Sequence, residues 1–205
     1  MTISVGGIGD VSRETSERLE VFQALVRKWN PAINLVSRNS LEQMWERHVL
    51  DSAQIFSLSQ SDAGLWADLG SGGGFPGLIV AILAADLKPD LRVALVESDQ
   101  RKAAFLTTAS QTLGLTTTVH ATRIESLTPL AAEVLSARAL APLTDLLAHA
   151  ERHLAPEGTA LFPKGANHAA ELGQALETWR FSYETHASAT DPDAVIYSIR
   201  GLSRA

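Results

Sequence analysis

Over residues 1–60 apolar side chains recur at three- and four-residue intervals, and beyond them they gather into short runs punctuated by glycine. Leu19, Phe22, Leu25, Val26 and Trp29 form one such stripe, which predicts an amphipathic helix beginning near Val11. Asn30-Pro31 is expected to end it, because proline has no N–H with which to continue the ladder. A second helix is expected after Ser40, an N-cap residue with Gln43 three positions on, its apolar face made of Leu41, Met44, Trp45, Val49 and Leu50. Residues 1–9, rich in glycine and serine, are expected to form a loose terminus, and polar residues 57–64 a connector.

Past Gly64 the period changes. Short strands are expected at Leu65–Leu69, Leu91–Val96, Thr116–Ala121, Ala132–Ala137, Thr159–Phe162, Phe181–Thr185 and Val195–Ile199. Helices are expected between them at Gly77–Ala85, Asp99–Leu113, Pro142–Leu154 and Ala166–Trp179. Strand and helix alternating at this spacing build stacked βαβ units, hence an α/β fold with a seven-stranded, mostly parallel sheet. No helix separates the last two strands, so they should pair antiparallel. The expected organisation is an N-terminal helical extension, 1–60, packed on a core domain, 61–205, as one compact unit.

The segment Asp68-Leu69-Gly70-Ser71-Gly72-Gly73-Gly74-Phe75-Pro76-Gly77 joins a strand to a helix through a turn in which glycines leave backbone N–H groups open to a ligand. Two frames overlap in it. Gly72, Gly74 and Gly77 satisfy the dinucleotide pattern GxGxxG, in which a pyrophosphate sits on the helix N-terminus. Gly70, Gly72 and Gly74 satisfy GxGxG with an acid, Asp68, two residues earlier, the pattern of S-adenosylmethionine (SAM) enzymes. The second frame fits better, because an acid favours a ligand carrying an ammonium and a sulfonium and repels a pyrophosphate. Glu97, at the end of the following strand, is placed to accept from both hydroxyls of an adenosine ribose. Arg123-Ile124-Glu125 follows the third strand, where an apolar residue and an acid can bracket an adenine ring.

Composition narrows the partners. The 205 residues are 45% hydrophobic and 20% charged, which argues for a folded core and against disorder. The formal net charge is −6, and no third of the chain is basic: −2 over 1–64, −1 over 65–138 and −3 over 139–205. Affinity for nucleic acid therefore cannot come from a broad phosphate-binding surface, whereas a selective RNA enzyme with a few local cations remains open. The absence of cysteine removes disulfides, zinc–thiolate sites and iron–sulfur clusters. The first residues lack the pattern of a signal peptide, and the apolar stretch from Leu78 is broken by Asp86 and Lys88 before it can span a bilayer. The expectation is a soluble, cytoplasmic protein that makes no use of a membrane.

With these residues assembled, the chain resembles the RsmG (GidB) family of bacterial 16S ribosomal RNA 7-methylguanosine methyltransferases. The resemblance runs from about Asn34 to Gly165. It rests on Asn34-Leu-Val-Ser37, Arg47-His-Val-Leu-Asp-Ser52, the glycine loop, Arg101-Lys-Ala-Ala-Phe-Leu106, Ser136-Ala-Arg-Ala139 and Phe162-Pro-Lys-Gly165. It implies a Rossmann-like methyltransferase fold, SAM as cofactor, and a guanine in the 530 loop of 16S rRNA, free or in the small ribosomal subunit, as target. It places SAM contacts on Gly70, Phe75, Ile124, Glu125 and Arg138, and RNA contacts on Arg138 and Lys164. Many relatives carry a basic residue at the start of the final strand; here that stretch is Asp191-Pro-Asp-Ala-Val-Ile, and Arg200, only near the strand's end, is the candidate RNA contact of this region.

Guanine N7 has a free lone pair and attacks a sulfonium methyl without losing a proton, so no catalytic acid or base is nominated; in-line placement is the main requirement. An RNA loop with splayed bases is the expected substrate form. Arg47, His48, Arg101 and Lys102 are further candidate RNA contacts, and Asp51 is expected to cap or pair locally with Arg47. His149 and His153 lie four apart on a predicted helix, but Ala150 stands where a zinc protease has its glutamate, so no metal site is expected. The four tryptophans are expected to be core or interface anchors, and the protein a monomer.

Overall fold

Strand–helix alternation gives the sheet its shape. The computed structural model describes residues 4–5 and 9–205. Much of the terminus expected to be loose thus lies outside the described residues, although Ser4–Val5 (β1) pairs antiparallel with Gly9–Asp10 (β2). Helix α1 spans Arg13–Ile33, and the Ser12 Oγ accepts from the Thr15 N–H at 3.1 Å as its N-cap. Leu19, Phe22 and Val26 are fully buried, as the stripe predicts.

Pro31 lies inside α1 and does not end it. It is exposed and occurs in the last turn, so one lost bond is tolerated there. The end is set by Asn34, which adopts the left-handed conformation (φ 49°) with its N–H on the Asn30 carbonyl at 2.9 Å. The second expected helix is also redrawn. Ser37, three residues before the expected Ser40, caps a short helix α2, Arg38–Glu42, and Ser40 is buried within it. Trp45–Leu50 is then wound as a π-helix that runs directly into α3, Asp51–Leu58. Such widened turns are rare and occur chiefly at functional sites.

The core continues with β3 (Ala63–Leu69), α4 (Gly77–Leu87), β4 (Asp90–Val96), α5 (Gln100–Thr112) and β5 (Thr117–His120). It closes with β6 (Ala132–Ser136), α6 (Leu143–His153), β7 (Leu154–Lys164), α7 (His168–Thr178), β8 (Trp179–Ala187) and β9 (Val195–Arg204). The seven-stranded sheet has the order β5-β4-β3-β6-β7-β9-β8. β9 pairs antiparallel with both its neighbours, while the pairs among β3 to β7 are parallel. From β3 the chain builds outward through β4 and β5, then returns to add β6 on the other side. The crevice above the carboxyl ends of β3 and β6 is therefore the topological switch point, where open α/β sheets bind ligands.

Alternation along the strands feeds two apolar cores. Trp66, Val93, Leu95, Val134 and Leu161 face one side, where they meet α4 and the N-terminal residues Leu19, Phe22, Met44, Val49 and Ile55. Leu69, Val96, Leu135, Ala160 and Phe162 face the other, under α6 and α7. Leu78 to Ala84 of α4 are all buried, because α4 is covered by the sheet on one side and by α1 and α3 on the other. The N-terminal segment from Val11 to Leu58 thus shares a core with the sheet.

Candidate active site

The loop after β3 is held from below. Asp68, the penultimate residue of β3, is 1% exposed. Its Oδ2 accepts from the Gly77 N–H at 3.1 Å, and its Oδ1 from the Ser136 Oγ at 2.7 Å, which in turn accepts from the Trp66 indole N–H at 2.9 Å. Burial pushes the carboxyl up to about 6, against the opposing pull of Ser136, the Gly77 N–H and Arg138. This corrects the expected role of Asp68 as a direct partner of the cofactor's cationic end. Both oxygens are engaged in the protein interior, and the carboxylate braces the glycine loop against the start of α4. The same contact closes off the dinucleotide frame, because the N–H of Gly77 is already taken by an acid. Gly77 is glycine for packing: an added Cβ would lie 2.6 Å from Asp68 Oδ2 and collide with Leu95.

Above this brace lies a cleft of about 1100 Å³. Gly70, Gly72 and Phe75 of the loop line it, with Glu97 after β4, Ile124 and Glu125 after β5, and Arg138 after β6. Four chain segments distant in sequence thus converge at the carboxyl ends of adjacent strands. Glu97 ties two of them together: its Oε2 accepts from the Gly72 N–H at 2.9 Å and its Oε1 from the Asp99 N–H at 2.8 Å. A carboxylate has about four lone-pair sites, so acceptor capacity remains for a ligand's hydroxyls. Gly70 takes φ +67°, a left-handed backbone that favours glycine, and its Cα faces the Leu140 side chain of the loop after β6. Ala139 in that second loop also has positive φ (52°), a strained backbone of the kind found where a site is built. Gly74 does not line the cleft; it turns the chain beneath it, against Leu78.

Phe75 forms one wall. Its ring lies 5.1 Å from Phe22, stacks on His48 at 4.8 Å, and has the Arg138 guanidinium 5.6 Å from its centroid. His48, carried by the π-helical turn, lines the cleft, yet both its ring nitrogens are buried with no hydrogen-bond partner. Burial, then the charges of Arg138 and Arg47, push its pKa down to about 4, so the ring is neutral at ordinary pH. Arg138 is anchored at 3.2 Å by Asp51 Oδ2 and at 3.3 Å by the Arg47 carbonyl. Asp51 therefore pairs across the fold with Arg138, not with its local neighbour Arg47.

The candidate RNA contacts divide. Lys102 lines the cleft and Arg47 is exposed beside a smaller cavity next to it. Lys164 does not present a free charge: its ammonium pairs with Glu171 and donates to the Ala141 carbonyl at 3.0 Å, with its side chain 9% exposed. It ties the loop after β6 to α7. Arg101 is outside the cleft and pairs with Asp99 at 3.2 Å. Arg200 is further displaced. Because β9 runs antiparallel, its first residue, Val195, lies beside Lys164 at the site, while Ile199 pairs with Ala160 toward the opposite edge. Arg200 donates there to Thr159 Oγ1 at 2.8 Å.

The structure adds cleft residues that the sequence pattern did not assign to a site. Asp145 and His149 of α6 line the cleft, and so do Ser37 and Ser40 of the N-terminal segment. The signal for the α6 pair was present: Asp145 and His149 are four apart, opposite the buried Leu143, Leu146, Leu147 and Ala150. His153 is buried, with Nε2 on the Ile124 carbonyl at 3.1 Å.

Residues 15–194 match the model of the GidB family, described as rRNA small subunit methyltransferase G. The chain belongs to this family. Ribosomal RNA small subunit methyltransferase G of Cereibacter sphaeroides is 57% identical over 194 residues, covering 95% of this chain and 94% of the relative. The protein of the same name from Paracoccus denitrificans is 52% identical, covering 95% and 99%. Among solved structures, a methyltransferase from Geobacter sulfurreducens superposes with a TM-score of 0.59 at 15% identity, covering 90% of this chain and 88% of that one. At that identity the likeness concerns the fold alone. The cleft of this GidB-family chain thus lies at the switch point of a methyltransferase fold. Among the described residues no helix is long and apolar enough to cross a membrane.

Proposed function

We propose that this GidB-family protein transfers the methyl group of SAM to N7 of a guanine in the 530 loop of 16S rRNA. The observation that carries the reading is the convergence of Gly70, Gly72, Glu97, Ile124 and Arg138 on one cleft, in a chain that matches the family over residues 15–194. The donor set fits SAM. Glu97 supplies acceptors for ribose hydroxyls, Ile124 and Glu125 lie where an adenine would be bracketed, and the cleft has room for the whole molecule. Bound there, SAM supplies an electrophilic methyl on sulfur. The protein's own contribution is placement. Asp68 fixes the loop, Phe75 and Leu140 wall the cleft, and Arg138 stands at its mouth, held by Asp51.

No residue is needed to remove a proton from N7. Two titratable groups next to the loop take no part in proton transfer in this reading, since Asp68 is sealed beneath it and both nitrogens of His48 are buried. Lys102 and the exposed Arg123 at the cleft, with Arg47 beside it, are cations in reach of an RNA backbone, so recognition rests on the shape of one loop and a few phosphates. The protein is a cytoplasmic monomer in this reading. The test is transfer of labelled methyl from SAM onto small subunits, and onto their isolated RNA, from a strain lacking this gene, with the modified base mapped. Label as 7-methylguanosine in the 530 loop is expected. Label elsewhere, or none on either form, would overturn the assignment.

A further inference from the structure

A second cavity of about 360 Å³ opens beside the cleft, and Ser40, His48, Arg138 and Ala139 line both. It is large enough for a nucleoside, and a base in it would share a wall with whatever occupies the cleft. Its own lining carries both signs of charge, Arg47 and Lys164 against Asp51, Glu171 and Asp191. Two of these groups neutralise each other, since Lys164 is paired with Glu171. Asp51 is different, because it pairs with the arginine that both cavities share. Its Oδ2 accepts from Arg138 at 3.2 Å and its Oδ1 from Thr190 Oγ1 at 3.4 Å, and its side chain is 15% exposed. With about four lone-pair sites on a carboxylate, acceptor capacity is left for a ligand.

The chemistry of the reaction dictates which edge of the base meets this wall. A purine whose N7 faces the methyl donor turns its Watson–Crick edge away from that donor. On guanine this edge presents N1–H and the 2-amino group, both donors. On adenine, position 1 is an acceptor and position 2 carries no polar group. An ionised carboxylate accepts only, so it pairs with the first edge and repels the lone pair of the second. We propose that the smaller cavity receives the target base and that Asp51 reads the Watson–Crick edge of guanine there. The Arg138–Asp51 pair then serves both ligands, because the arginine faces the cofactor cleft and the carboxylate it orients selects the base. This rests on the methyltransferase reading given above.

The test replaces the target guanosine of small-subunit RNA with inosine, which keeps N7, O6 and N1–H and lacks only the 2-amino group. Methyl transfer to both RNAs is measured for the wild type, Asp51→Ala and Asp51→Asn, alongside SAM affinity. For the wild type, kcat/KM should be at least tenfold lower on inosine, the scale of losing one hydrogen bond to a charged group. Both variants should be slow on guanosine and show a guanosine-to-inosine ratio near one. A ratio unchanged in the variants, with both rates lowered in parallel, would mean that Asp51 only positions Arg138, and would overturn the proposal. Equal wild-type rates on the two RNAs would overturn it without recourse to any variant. Absence of transfer to the guanosine RNA would instead bring down the methyltransferase reading itself.

Discussion

Replacing Asp68 by asparagine should change how the protein's stability depends on pH, and the structure sets the size of the change. The carboxyl is 1% exposed and its pKa is raised by burial from 3.8 to about 6. A raised carboxyl favours the folded state when protonated, so its contribution is complete below about pH 4 and is lost as pH rises through 6. A displacement of about two units corresponds to about 3 kcal/mol, at 1.36 kcal/mol per unit, with roughly half of it still to be lost above pH 5. Asp68→Asn keeps an acceptor for the Gly77 N–H and stays neutral at every pH, but it cannot accept from Ser136 as well. That unsatisfied donor costs about 1–3 kcal/mol at all pH values. The difference in unfolding free energy between the wild type and Asp68→Asn should therefore shift in favour of the variant by about 1.5 kcal/mol between pH 5 and pH 8. His48, whose pKa is depressed to about 4, contributes the opposite slope, with stability lost as pH falls from 6.5 toward 4. It is present in both proteins and cancels from the difference. Urea unfolding at the two pH values is the assay. A difference that does not move between them would refute the assignment of a buried, high-pKa acid beneath the loop.

Other substitutions separate the parts of the site. Gly72→Val should leave the fold intact at a cost of about 1–2 kcal/mol, because φ is +54° there and an added Cβ meets only the Gly70 carbonyl, at 3.7 Å. The new side chain would project from the loop that carries the Glu97 contact, and calorimetry should show SAM affinity falling at least tenfold. Arg47→Ala should lower the slope of log affinity for RNA against log salt by about one, while Arg200→Ala, on the far side of the sheet, should leave that slope unchanged. Lys164→Ala should weaken stability by about 1–3 kcal/mol by leaving the partly buried Glu171 without its cation, a loss visible as a lower melting temperature even without RNA.

The features that could be read from the sequence were local ones. A strand, a run of glycines and a helix start are contiguous, so the loop at Gly70–Gly74 and the acid at Glu97 were placed without knowledge of the rest of the chain. Charge state in three dimensions was not legible in the same way. Lys164 looks free in sequence because Glu171 lies in the next helix, and Asp51 looks like a local partner of Arg47 because Arg138 is 87 residues away. Arg200 lies away from the cleft for a topological reason that sequence does not reveal: the direction of the last strand decides which edge its residues reach. Asp68 reads as a ligand contact because sequence shows that an acid precedes the glycines but not which face of the strand it occupies. The π-helical turn at Trp45–Leu50 has the same apolar periodicity as an ordinary helix over so few residues, which hides it.

The order of strands also constrains how the molecule can be made. β9 is synthesised after all the others yet inserts between β7 and β8, one position in from the edge. Until it emerges, β7 presents an open hydrogen-bonding edge and β8 has no neighbour in the sheet. The residues that line the switch-point crevice between β3 and β6 all precede β9 in the chain, the last of them being His149. The strand that closes the sheet is thus the last to be made and stands apart from the cleft, since no residue of β9 lines it.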